Sequence, residues 1–259
     1  MDDHCTNCNH IVTQNFCSNC GQKKYSRLNK NYLLEELYEV VVYTNKGFLY
    51  SLKKVVSNPG KTAREFIDGK RVNHYKPILL SFVLSGISTL ISFQLIGLGK
   101  PLANLNSKNP ESNKIMSEFL AYFTNYNSFI MLLCIPFFAL LTKLTFRKWG
   151  HNYYEHLVMN AYILSFITIL NTVIVYPITY FYITDPDAVY NILGLSLLTT
   201  PFVLYWFFRE FYREHSSKRI FIKILQLSGW VVLSYIALFI LATLIAIIIS
   251  IIRTPNIVT

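Results

Sequence analysis

The residues best equipped for chemistry sit at the start of the chain. Cys5, Cys8, Cys17 and Cys20 are arranged as C-x2-C-x8-C-x2-C. Two intervening residues let both thiolates of a knuckle face one ion, and two knuckles complete a tetrahedral shell with sulfur about 2.3 Å from the metal. Gly21, directly after the second pair, suits a positive-φ turn that brings backbone amides toward the sulfurs. Four thiolates leave no position open for water or substrate. The expected cofactor is therefore one structural zinc ion. Beyond Ile11, Val12 and Phe16 the stretch has few apolar side chains, so its fold depends on the metal. A disulfide pair is the competing reading, but disulfides rarely persist in the reducing compartment inferred below. A C-x-x-C redox centre would need only one pair and a flanking βαβ pattern. His4 and His10 are spare donors beside a complete shell, and Cys134, the fifth cysteine, is read as an apolar filler.

A second group lies in the third apolar segment. Ionisable and amide side chains inside a membrane span are costly, and each is a functional candidate. Glu155, His156, Asn160 and Asn171 are such residues. At about 100° per residue, His156, Asn160 and Asn171 fall on one face, while Glu155 diverges from His156 and lies at the boundary near Arg147 and Lys148. Interhelical hydrogen bonding with a boundary salt bridge is the plainer reading. A polar route or ligand site through the bundle is the sharper one. A third group, Lys70, Arg71 and Lys76 around Tyr75, could meet lipid head groups or phosphate; the plainer reading is a basic and aromatic anchor.

The elements that must position these groups are mostly apolar helices. Of the 259 residues 53% are hydrophobic and 15% charged, and the apolar ones are gathered into long blocks. About 20 helical residues cross a hydrocarbon core of roughly 30 Å, and five windows reach or approach that length: residues 77–98, 128–146, 157–183, 192–208 and 224–252. The second contains Pro136 and the fourth Pro201, which leaves their full crossing open. The first 30 residues are polar and show no secretory signal. The fold class expected is an all-α, five-span integral membrane protein with a small zinc ribbon over residues 1–24. Juxtamembrane helices fill 25–76, and the membrane domain fills 77–259.

Twenty of the 24 Lys and Arg fall before Pro77, at the end of the second window and in the loop after it (Lys143, Arg147, Lys148), and in the loop after the fourth. Lys and Arg are retained on the cytoplasmic side. The N-terminus is therefore expected inside, the C-terminus outside, and the protein in the cytoplasmic (inner) membrane. The net charge of +10 is accounted for by topology and anionic lipid, so nucleic acid is not an expected partner.

Between ribbon and membrane, Leu33, Leu37, Val40 and Val41 repeat at helical spacing opposite Glu35, Glu36 and Glu39. After Gly47 a second stripe, Phe48, Leu49, Leu52, Val55 and Val56, stands opposite Lys53 and Lys54. Such stripes bury one face, here expected on the cytoplasmic ends of the spans. Asn58 can cap a short helix opened by Pro59 and closed by Gly69.

The cysteine head (Cys5, Cys8, Cys17, Cys20, Gly21) precedes a short helix with Pro59, Gly60 and Phe66, which ends in Gly69, Lys70 and Arg71, with Tyr75 and Pro77 opening the first span. Together these resemble a bacterial membrane-protein family known as domain of unknown function 3667. The stretch from Asn152 to Phe166 is similar to a second pattern, Glu-His before an apolar helix, in related multi-span proteins. The resemblance implies a zinc ribbon and a helical membrane domain, covers the first third of the chain well, and carries no activity.

No P-loop, H-E-x-x-H, G-x-S-x-G or dinucleotide glycine motif is present, so the chain is not expected to be an enzyme. No internal repeat is evident, and five spans do not divide into two inverted halves. The function expected is a membrane-anchored adaptor or regulator whose ribbon binds a cytoplasmic protein. The alternative is an oligomeric channel, transporter or membrane effector of an antiviral defence system, built as a homo-oligomer. An intramembrane lipid-modifying enzyme comes third.

Overall fold

The computed structural model describes residues 4–24, 30, 47–99, 101 and 110–253. The acidic stripe from Leu33 to Val41 lies outside the described residues. The protein is all-helical, with no strand among the described residues beyond two isolated bridges in the cysteine head. Helices α1 (Phe48–Ser57) and α2 (Pro59–Ile67) precede α3 (Pro77–Thr89), which runs on as a π-helical turn, Leu90–Leu95. Next come α4 (Pro110–Phe146) and α5 (Tyr153–Leu170), then a second π-helical turn, Asn171–Val175, and α6 (Tyr176–Phe181). The chain closes with α7 (Pro186–Leu197), α8 (Thr200–Phe211) and α9 (Ser217–Arg253).

Among the described residues five helical runs are long and apolar enough to cross a membrane: Pro77–Leu95, Phe129–Trp149, Tyr153–Phe181, Pro186–Phe211 and Ser217–Leu241. They fit a multi-pass membrane protein. The third and fourth begin earlier than the apolar windows suggest, for one reason. Asn152 and Asp185 are N-caps whose side chains accept amides of the first turn, and Pro186 supplies the first helical position. Caps are polar, so hydropathy alone discards them. The fourth run is not one helix. It breaks at Leu198 and Thr199, and Pro201 restarts it in the first turn of α8. Helix α4 has 37 residues, about 55 Å at 1.5 Å per residue, far longer than a hydrocarbon core.

The first three spans pack most extensively on one another. Ser81, Ser85, Ser88 and Ser92 are all buried along the first span, and small side chains let apolar helices approach closely where no hydrophobic force drives them together. The two π turns lie beside this stripe, and Thr172 Oγ1 donates to Ser88 Oγ at 2.9 Å. The fourth span packs on α2 and α9, and α9 also packs on α4.

The short helices before the first span are built into the bundle. In α1 the buried residues are Ser51 and Val55, with Phe48 and Leu52 partly covered. Leu49 is 75% exposed and Val56 50%. The burial stripe is thus rotated from the apolar one, because Ser51 Oγ accepts the Tyr75 amide at 2.6 Å and turns that face inward. Gly47, at φ 120, is required where the chain passes Asn73, whose carbonyl oxygen would lie 2.6 Å from an added Cβ.

Helix α2 is capped by Asn58, which accepts the Lys61 amide at 2.9 Å and donates from Nδ2 to Glu210 Oε2 at 2.9 Å. One helical turn on, Arg64 donates to the Phe211 carbonyl at 2.8 Å and to Glu214 at 2.7 Å. Gly60 rests directly on the Phe207 carbonyl, leaving no room for a Cβ. Phe66 and Ala63 are buried between α5 and α8. Introducing a methyl against a fixed carbonyl overpacks the joint, which costs about 1–3 kcal/mol. Gly60→Ala should therefore lower the thermal unfolding midpoint of detergent-solubilised protein. Gly194→Ala, where an added Cβ meets nothing within 4 Å, should not.

Candidate metal centre

The head consists of two copies of one small turn. Cys5 N donates to His10 O and Asn9 N to Cys5 O, each at 2.8 Å; twelve residues later Cys17 N donates to Gln22 O and Gly21 N to Cys17 O, each at 2.8 Å. The bridges His4–Ile11 and Phe16–Lys23 hold the same relation. Asn9 (φ 61) and Gly21 (φ 72) occupy equivalent positive-φ positions, and Asn tolerates that region better than most residues. A short internal repeat therefore exists, contrary to the expectation from the sequence. Its signal is residues 4–11 against 16–23, too short to notice beside whole spans.

The two turns bring the four sulfurs within 4.8 Å of one another. Cys5–Cys20 and Cys8–Cys17 are 3.6 and 3.5 Å apart. These separations far exceed a disulfide bond of about 2.05 Å and approach the roughly 3.8 Å edge of a tetrahedron with 2.3 Å bonds. The amide of His10, opposed by burial and aided by the side chains of Cys20, Asn19 and Cys17, holds the Cys8 thiol down to about 6. Thiolate is the ligand form. The four cysteines could hold a metal ion, and every donor is sulfur. Cys5, Cys17 and Val12 form a miniature core with Cys8 and Cys20 against it. His4 and His10 are exposed, the His4 ring lying 3.3 Å from the Asn9 carbonyl.

The head is docked on the chain before the first span. Gln22 is 4% exposed, and its Oε1 accepts from the amides of Arg71 and Val72 at 3.1 and 3.0 Å. Arg71 in turn sends Nε to the Phe66 carbonyl at 3.0 Å and lies over the Phe66 ring. It closes the C-terminus of α2, with Gly69 at φ 103 completing the turn. Of the three residues expected at head groups, Lys70 is exposed, Lys76 is half-buried at the N-cap of α3, and Arg71 is turned back onto α2. Nothing in the sequence near Gln22 pointed to its role, because its partners lie about 50 residues on.

The Pro59–Gly60 start, the Phe66 contact, the Gly69–Arg71 end and the Tyr75–Pro77 junction thus form one structural unit. Residues 45–89 match the family model described as protein of unknown function (DUF3667). The DUF3667 match covers α1, α2 and the whole of α3, while the cysteine head lies before it. None of the curated proteins and none of the solved structures compared matches the chain.

Behind the DUF3667-matched helices lies the polar group of the third span, and its partner is on the second. Thr142 Oγ1 accepts from Asn160 Nδ2 at 2.9 Å and sits 3.1 Å from His156 Nδ1, while its own proton goes to the Phe138 carbonyl at 3.0 Å. His156 Nε2 has no hydrogen-bond partner among the described residues. Asn171 is outside this group. It shares the angular face but stands 11 residues along the helix from Asn160, about 16 Å away in rise, at the first position of a π turn. Glu155 is a capping residue: its Oε2 accepts the Asn152 amide at 2.6 Å and Asn152 accepts its amide at 2.9 Å. The box N-x-x-E was legible in the sequence.

An aromatic plug seals this end of the bundle. Phe146 stacks on Phe208 at 4.4 Å and on Tyr212 at 5.3 Å, and Trp149 stacks on His215 at 3.9 Å. His74, read from the sequence only as part of the basic and aromatic anchor before Pro77, is buried instead. It is 9% exposed, packed edge-on to Tyr50 and Phe66, and its Nδ1 has no hydrogen-bond partner among the described residues.

Two outcomes follow from these burials. Thr142→Val keeps the shape but removes the hydroxyl partner of buried Asn160 and His156, at about 1–3 kcal/mol for each group left unsatisfied, and should destabilise well beyond Thr243→Val on exposed α9. Burial, aided by Lys54 and opposed by Glu65, lowers His74 from 6.5 to about 4. Its neutral form is the folded one, so the stability it confers is present above pH 6.5 and lost as pH falls toward 4. The loss is at most about 3 kcal/mol. His74→Phe should flatten the midpoint-versus-pH curve in that window.

Proposed function

We propose that the protein is a membrane-anchored adaptor whose cysteine head, held by one structural zinc ion, presents a binding surface to a cytoplasmic protein. The observation that carries this reading is the two-sidedness of the head. Buried Gln22 fastens one side to the bundle, while Ile11 and Phe16, one from each knuckle, are each 58% exposed. Large apolar side chains on so small a module are natural anchors for a partner. Four thiolates favour zinc among ions available in a reducing compartment, and they leave no open coordination position for catalysis. The distribution of Lys and Arg supports a head on the cytoplasmic side of the inner membrane.

The polar residues of the third span support a packing role over a conducting one. His156 and Asn160 are joined to Thr142 of the neighbouring span and sealed by the aromatic plug. Ile11→Asp with Phe16→Asp should abolish co-purification of the partner and leave metal content at one ion per chain. Unchanged co-purification would sink the adaptor reading. Purified protein reconstituted in dye-loaded vesicles should leave them sealed; leakage would favour an oligomeric pore instead.

A further inference from the structure

We propose that the cysteine head is a metal-dependent latch on the turn before the first span, so that metal loading sets how firmly α2 is held on the bundle. The latch rests on the metal reading of the four cysteines given above. Its origin is the double duty of Gln22. The backbone carbonyl of Gln22 closes the second knuckle by accepting the Cys17 amide at 2.8 Å. Its side-chain oxygen accepts the amides of Arg71 and Val72. Two N–H donors converge on one atom, so only an acceptor serves there, and Nε2 is directed instead to the Lys23 carbonyl at 3.1 Å.

The position of that oxygen is fixed by the fold of a knuckle too small to hold itself together without an ion. Without metal the second knuckle has only Val12 and its own cysteines for a core, and the Gln22 side chain loses its fixed origin. On the far side, the gripped Arg71 carries the guanidinium that ends α2 on the Phe66 carbonyl. Phe66 is 1% exposed and packs edge-on to Tyr162 of α5 at a ring distance of 6.1 Å. A continuous series of contacts thus runs from the sulfurs through Gln22 and Arg71 to the third span. If metal binding tightens the turn, linkage requires the turn to tighten metal binding by the same factor.

The test uses the full-length protein in nanodiscs. Metal content is read by elemental analysis, zinc affinity by competition with a fluorescent chelator, and order in residues 58–76 by amide hydrogen exchange. Gln22→Leu keeps the side chain's bulk and removes the acceptor. It should retain one zinc per chain, weaken apparent affinity by roughly 5- to 150-fold, the ordinary range of such coupling, and raise exchange across 58–76. Cys17→Ser with Cys20→Ser should remove the metal and raise exchange over the same residues. Adding Gln22→Leu to that pair should change nothing more. Gln22→Glu, which keeps an acceptor, should restore protection. The latch is overturned if Gln22→Leu leaves both affinity and exchange at wild-type values, or if metal loss leaves 58–76 as protected as before. It is also overturned if Gln22→Leu and Gln22→Glu lose the metal alike, since Gln22 would then serve only the knuckle. Wild-type protein that binds no zinc overturns the metal reading itself, a result distinguishable because no competition is then measurable.

Discussion

The joint between Gly60 and the Phe207 carbonyl is the contact on which the rest of the arrangement depends. Without a side chain at position 60, α2 approaches α8 backbone to backbone, and Arg64 then reaches the Phe211 carbonyl one turn further along. That carbonyl belongs to the last turn of α8, where four acceptors lack intrahelical donors. Arg64 therefore closes the end of one helix from another, while Asn58 ties the two together through the Glu210 carboxylate. Once α2 is seated, Phe66 and Ala63 complete the core between α5 and α8, and everything attached to α2 inherits its position.

The interior of the bundle follows from a different constraint. Apolar helices in lipid gain little from hydrophobic burial against one another, so close approach and internal hydrogen bonds must hold them. The serine stripe of the first span supplies approach, and Thr142 supplies the bond. A single hydroxyl that bonds its own helix and two side chains of the next ties the second and third spans together without a buried charge. It also fixes which faces of the second and third spans meet.

Much of the architecture was legible because membrane spans announce themselves by length and composition, and because caps such as Asn58–Pro59 have local signatures. The same logic applied to Asp185–Pro186 and Asn152-x-x-Glu155 would have placed two helix starts correctly; both were passed over because polar residues fall outside hydropathy windows. The expectation that Asn171 joins His156 failed for a geometric reason, since angle defines a face but rise defines a site. The rotated stripe of α1 was not legible, because a serine counted as polar is buried by an amide 24 residues away. Gln22 lay beyond reach for the same reason. Its partners are backbone groups, which every residue possesses and no pattern marks.

The size of the cysteine head before the DUF3667-matched segment favours the metal reading of its four sulfurs. About twenty residues cannot bury enough apolar surface to fold alone, and this head has only Val12 and two cysteines inside. A purely hydrophobic module of that size would stay unfolded and could not hold a glutamine oxygen against two amides. Four thiolates around one ion would replace the missing core with a few strong bonds, and the resulting rigidity would be local to the knuckles. Order imposed by such bonds would depend on an ion and on the thiolate form, and so be conditional in a way that the Gly60 joint is not. On the metal reading proposed above, the chain before the first span is held twice, once by the close packing at Gly60 and once by a head whose order is conditional on its ion.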